Sequence, residues 1–130
     1  MNFASEDIKD MLEDSTLGLT FASNLFIGRN PKSPDNTVTI FDTEGFAPEP
    51  TLDKDVMLYN SSVMLHIRNN KYEVGLTLAH NIMDHLHSRA QEEWNGTLYT
   101  AIRAAGEPAL LSWDDNERAI FSINFNMKRR

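Results

Sequence analysis

The sequence predicts an α+β fold: a mixed, mainly antiparallel β-sheet with one long helix packed across it and a short N-terminal helix. Three observations lead there. Phe121, Ile123, Phe125 and Met127 alternate with Ser122, Asn124 and Asn126, the period-two pattern of a strand with one buried face. Tyr72, Leu76, Ala79, Met83 and Leu86 form one apolar stripe at helical spacing, flanked by Leu78 and Ile82. Turn chemistry at Asn95-Gly96, at Gly106-Glu107-Pro108 and at residues 114–117 separates short strand-like runs.

Taken in order, Ser5-Glu6-Asp7 reads as a helix start, with Ser5 as the cap and two acids at the positive end of the helix dipole. Ile8, Met11 and Leu12 give that helix an apolar face, and it is expected to end near Thr16. Residues 19–27 read as a strand and residues 28–36 as a turn-rich connection with two prolines. Residues 37–41 alternate and form a strand. Residues 42–53, with one Gly, two Pro and four acids, read as a mobile loop that docks on a partner. Residues 56–68 make a long strand with Val63, Leu65 and Ile67 on one face and Met64, His66 and Arg68 on the other. Asn60-Ser61-Ser62 is where that strand is expected to bulge or bend. The long helix is predicted over 70–90, with Asn70 as N-cap, Glu73 completing a capping box and Gly75 allowing close approach to the sheet. Residues 97–104 form a strand, and residues 110–113 and 118–127 an antiparallel hairpin.

A chain of 130 residues with 41% apolar and 24% charged residues fits one globular domain spanning 1–130. It has no cysteine, which removes disulfides, thiolate-bound metals and thiol nucleophiles. No run of about 18 apolar residues offers a membrane span. The acidic N-terminal stretch is unlike a signal peptide, so the expected setting is a cytosol or a particle assembled in one. Net charge is −7, and the one basic cluster is Lys128-Arg129-Arg130, read as a solubilising terminus. Tight nucleic-acid binding needs clustered cations and is disfavoured, whereas an acidic channel that lets DNA pass is compatible.

No catalytic, cofactor-binding or metal site is assigned. Phosphate-cradling glycine loops and the G-x-S-x-G elbow are absent. His80, Asp84 and His87 share one arc of the predicted helix, and two imidazoles with a carboxylate suit zinc. That arc lies opposite the apolar stripe, where a solvated face belongs, so a metal-dependent enzyme is the lesser alternative. Asp114-Asp115 reads as turn chemistry, and His66 as a partly buried or interfacial histidine. Trp and Arg concentrate at the energetic centres of interfaces. The candidate interface residues are accordingly Arg29, Phe46, Arg68, Trp94, Trp113 and Arg118.

The order of segments resembles a family of tailed-phage proteins known as minor capsid or tail terminator proteins, similar in role to the lambda tail terminator. The resemblance runs through Leu17-Gly18-Leu19, Asn24-Leu25-Phe26-Ile27-Gly28 and the Pro31 and Pro34 turn. It continues through Thr39-Ile40-Phe41-Asp42-Thr43-Glu44-Gly45, His66-Ile67-Arg68, the Tyr72-led helix and Gly106-Glu107-Pro108. It ends at Asp114, Arg118 and Phe121-Ser122-Ile123-Asn124-Phe125. The resemblance implies a mixed sheet with one main helix, assembled as a homo-oligomeric ring, usually a hexamer, in the virion. Such a ring sits at the head-proximal end of the tail on the major tail tube protein, stops tube growth and meets the head connector or completion protein. DNA passes through without specific binding, and no cofactor, membrane or catalytic motif is implied. The rival within virion structure is a head-completion or connector adaptor; a monomeric binding module is a further alternative.

Overall fold

The structure, a computed structural model, describes residues 1–53 and 55–130. Its elements are α1 (Ala4–Glu13), β1 (Leu25–Ile27), β2 (Thr37–Pro50), β3 (Met57–Asn69), α2 (Tyr72–Leu86), β4 (Glu92–Trp94), β5 (Thr97–Ala104), β6 (Ala109–Trp113) and β7 (Ala119–Arg129). The strands form one sheet in the order β1-β2-β3-β7-β5-β4, and β6 pairs with the free stretch of the β7 edge that β5 leaves. The β1–β2 pair is parallel and the other pairs are antiparallel, which makes the sheet mixed and the fold α+β.

The longest ladder runs without interruption from Tyr59↔Arg129 to Asn69↔Ala119. Its alternation sends Val63, Leu65, Ile67, Phe121, Ile123, Phe125 and Met127 to one face, where all are buried with Val38 and Ile40. Both helices cover this face. Ile8, Met11 and Leu12 of α1 and Ala79, Ile82 and Leu86 of α2 complete one apolar cluster with it. Each of the larger side chains among these, taken fully out of water, contributes roughly 1.5–3 kcal/mol. The opposite face carries no helix.

Instead of one long helix the sheet carries two of comparable length, 10 and 15 residues. α2 starts at Tyr72, not Asn70, because the Asn69 side-chain oxygen accepts the Lys71 N–H at 2.9 Å and Lys71 becomes the N-cap. It stops at Leu86, where His87 takes an extended conformation, so the predicted stretch 87–90 is not helical. The buried stripe is Gly75, Ala79, Ile82 and Leu86, and Tyr72 stays 43% exposed. In α1 the N-cap is Phe3, whose N–H is taken by the Glu6 carboxylate at 3.3 Å. Ser5 is drawn elsewhere: its N–H and hydroxyl donate to the two oxygens of Asp42 at 3.0 and 2.6 Å. A carboxylate from β2 thereby sits at the positive end of α1.

The expected strand over 19–27 survives only as Leu25–Ile27. The Thr20 carbonyl accepts the N–H groups of Ser23, Asn24 and Leu25, and the Asn24 side chain accepts the Thr20 N–H at 2.8 Å. This local turn takes the hydrogen bonds a strand would have used. The opposite correction applies to residues 42–53. They are not a loop as far as Pro50, because β2 continues to that residue against β3. Two register shifts lie between Thr43 and Phe46 and between Phe46 and Glu49, so the extra residues belong to β2 and not to Asn60-Ser61-Ser62 of β3. Past the end of β7 this hairpin continues as an arm. Pro48 and Pro50 fit there because β1 reaches only Ile40, leaving the outer edge of distal β2 without a strand that needs their N–H.

The C-terminal half follows expectation. β5 spans the predicted 97–104, and Asn95 and Gly96 both adopt positive φ, 51° and 79°, as a two-residue hairpin turn requires. Arg129 departs from it: it is no solvated tail residue but is buried at the end of β7.

Two arginines fasten the connection 28–36 to the sheet. Arg68 donates to the carbonyls of Pro34 (2.6 Å) and Asp35 (3.2 Å). Arg118 donates to the Lys32 carbonyl (2.6 Å) and pairs with Asp114 (2.7 Å) and Asp35 (3.3 Å). Both are 4% exposed, and buried guanidinium groups require such partners. Desolvation pushes the Asp114 carboxyl up, but hydrogen bonds from Arg118 and the Asn116 N–H outweigh it and hold the carboxyl below its ordinary value.

Two outcomes follow from these contacts. A Cβ on Gly75 would lie 2.7 Å from the Phe121 ring and 2.8 Å from the Asn69 Cβ. Gly75→Ala therefore costs about 1–3 kcal/mol of stability by overpacking, read by urea unfolding. A depressed carboxylate adds stability above its unfolded value and loses it as pH falls through the folded one. Acidification through the carboxylate range should therefore weaken the native chain, with a shallower slope in Asp114→Asn, measured as unfolding midpoint against pH.

Candidate interaction surface

Side chains that carry chemistry are here mostly committed to structure. The helix ends before His87, whose Nδ1 accepts the Ala104 N–H at 2.9 Å. His87 is thereby turned toward β5 and leaves the arc of His80 and Asp84. Among the described residues no group of three His, Asp or Glu side chains is gathered as a metal site. The metal-dependent alternative loses the geometry it rested on.

A buried polar cluster ties the first helix to the last strand. Asp7 is fully buried and accepts the Tyr99 hydroxyl and the Asn95 amide, the latter at 2.7 Å. Arg129 approaches Asp7 to 4.0 Å and donates to the Ser61 hydroxyl and the Asn2 carbonyl, both at 2.8 Å. Burial first, and then the bond to Asp7, push the Tyr99 hydroxyl far above its ordinary pKa, so it stays a neutral donor. Each group is satisfied, which is the condition for keeping charge inside a small core. The sequence reading had Asp7 only as a dipole acid.

On the uncovered face His66 meets Phe41 edge-to-face with centroids 5.0 Å apart, and burial lowers its pKa. Its Nε2 and the hydroxyl of the fully buried Thr39 make no hydrogen bond within the protein. His66 is part-buried, in line with the sequence reading.

What remains available for contact is apolar surface, and it is distributed unevenly. One patch lies on the arm: Phe46, Leu52, Met57 and Tyr59, with Phe3 lining the same hollow as Phe46 and Tyr59. A second lies where β6 meets the start of α2: Trp113 stacks on Tyr72 with centroids 6.2 Å apart, beside exposed Leu110 and Leu111 of β6. A third is a groove beside β1 that includes Phe21. Among large hydrophobic side chains exposed on the described residues, Met1 and Val74 lie outside these three, Val74 in a hollow with Leu17 and Leu78.

The six candidate residues are not brought together. Phe46 pairs with Asn60, while Trp113 pairs with Ala119 opposite Asn69, so the two lie about 30 Å apart at roughly 3.3 Å per residue. Phe46 and Trp113 are 68% and 53% exposed, and Arg29 is exposed in the groove. Trp94 is half-buried against the core and donates to Glu92 at 3.1 Å. Arg68 and Arg118 form the buried clamp. Tyr72, Met57 and Phe21 escaped the sequence reading: the apolar stripe took Tyr72 inward, and the other two were read only as parts of strands.

The sequence profile of the family described as "Bacteriophage tail terminator protein" matches residues 6–130. Comparison with curated proteins finds no match. Among solved structures, a chain of "Virion of native gene transfer agent (GTA) particle" superposes with a TM-score of 0.68 at 8% identity, over 97% of this chain and 93% of that one. A second solved chain, known only by a sequence label, gives 0.56 at 11% identity over 98% and 91%. At such identities the likeness is one of fold. The profile, in contrast, spans the chain from the first turn of α1 to its last residue, and this protein therefore belongs to the family of bacteriophage tail terminator proteins, structural components of the phage tail.

Proposed function

We propose that this chain closes the head-proximal end of a phage tail tube as a ring of identical copies, a hexamer, with residues 1–130 acting as one terminator domain. The ring ends tube polymerisation on the major tail tube protein and offers its other side to the head connector or completion protein. The observation that carries this reading, beside family membership, is the separation of the apolar patches. Head-to-tail contacts between identical subunits use two different patches per copy, and they close into a ring when the rotation closes. A further patch is then left for an axial partner. Arg29 and Phe46 are assigned to contacts between copies, and Trp113 with Tyr72 to the axial partner. Arg68 and Arg118 act through the loop they hold, and Trp94 supports the end of β4.

The sheet edges favour termination over growth. β1 and β4 are three residues each, and distal β2 is interrupted by two bulges and two prolines. Short, bulged and proline-bearing edges are poor templates for further strands. Six copies of −7 give −42, a charge that suits passage of DNA without grip. The action is steric: one end of a polymer is covered, and no covalent bond is made or broken.

Electron microscopy of particles made without this protein tests the reading. Overlong tails lacking heads are expected; tails of normal length lacking heads would instead mark a connector adaptor. Trp113→Ser should leave the ring intact but reduce the fraction of tails joined to their axial partner, counted on the same grids.

A further inference from the structure

We infer that the contact between neighbouring copies is made by the arm of one copy seated in the groove beside β1 of the next, an inference that rests on the ring reading above. The groove, about 540 Å³, is lined by Phe21, Phe26, Ile27 and Pro31 and rimmed by Arg29 and Lys32. Residues 21–32 contain these two cations and no acid. Neither cation has a carboxylate within 4.0 Å among the described residues. Of the acids near it, Glu13 accepts the Phe21 N–H at 3.1 Å and Asp35 is paired with Arg118, while a further cation, Lys9, lies 5.0 Å over the Phe21 ring. The groove is therefore an apolar trough with a positive rim.

The arm is its complement. Between Glu44 and Asp55 the sequence has four acids, Glu44, Glu49, Asp53 and Asp55, against one lysine. The same stretch presents Phe46 at 68% and Leu52 at full exposure. The other apolar patch is a poor receiver for it. Tyr72 and Trp113 are bordered by Glu73, Asp115 and Glu117 against Lys71, with Asp114 already paired to Arg118, so an acidic arm meets like charge there. Like charges juxtaposed at an interface disfavour the pairing strongly, which decides between the two receivers. Arm and groove also occupy different parts of one copy, so each copy gives one arm and receives another.

Charge reversal tests the contact at four exposed side chains, of which, among the described residues, only Asp53 makes a hydrogen bond, accepting the Asp55 N–H at 3.1 Å. One variant carries Arg29→Glu with Lys32→Glu, a second Glu49→Lys with Asp53→Lys, and a third all four. Assembly is followed by light-scattering mass of the purified chain and by electron microscopy of tails, with thermal melts confirming the fold. Each double reversal should raise the half-assembly concentration by roughly tenfold or more, and the fourfold variant should return it to within about threefold of the native value. Added salt should narrow these differences. Rings unaffected by either reversal, or a fourfold variant no better than the doubles, overturn the arm-in-groove contact while the ring reading stands. Native protein that forms no ring, alone or on tails, removes the ring reading and this contact with it.

Discussion

Eleven consecutive residue pairs between β3 and β7 are the constraint on which the rest of the structure depends. Their unbroken register sets which side chains face the helices, and a slip of one residue would reverse every one of them. The ladder also sets the dimensions of the surface. β3 begins two residues before its partner strand ends, so the β2–β3 hairpin continues past β7 as the arm. The other edge of β7 is long enough to take β5 and β6 in succession, which carries Trp113 to the end opposite Phe46. The separation of contact surfaces is thus a consequence of one strand pair.

The two faces of the sheet solve different problems. The covered face is sealed by apolar side chains and, at its rim, by the Asp7–Tyr99–Arg129 cluster, which joins α1 to β7. Removing one member of such a buried charged group leaves the others uncompensated, which typically costs about 3–5 kcal/mol. That cluster stabilises the position of α1, whose first turn also receives Asp42 from the root of the arm. The geometry of the arm and the packing of the first helix are in this way linked through four side chains. The uncovered face is polar and half-buried, with the unpaired Thr39 hydroxyl and His66 Nε2 as its least satisfied groups.

A virion chain with 8% identity shares the fold over nearly its whole length. The surfaces proposed for contact are formed by residues with no place in the buried core: Phe46, Arg29, Trp113 and Tyr72. Such residues carry no motif, which is why the family's order of segments was legible here and its contact residues much less so. Arg68 and Arg118 illustrate the point. As arginines near strand ends they looked like contact residues, and burial turned them into the clamp of a loop.

Local chemistry alone determined the strand 97–104 and the last strand as far as Met127, their Asn95-Gly96 and Asp114–Glu117 turns, the closeness of Gly75 to the sheet and the apolar face of α1. Each is set by period, by a turn residue or by a missing side chain, all of them short-range properties. Tertiary structure decided what depends on a distant partner. Residues 42–50 became a strand despite Gly45 and two prolines because β3 lay alongside, and Asn70 and Ser5 lost their expected capping roles, the first when the Asn69 side chain took the Lys71 N–H and the second when Ser5 turned to Asp42. Asp7 and Arg129 went into the interior because each found the other there. A hydrogen bond or charge is assigned to whichever partner packing brings within reach, and no window of neighbouring residues contains that information.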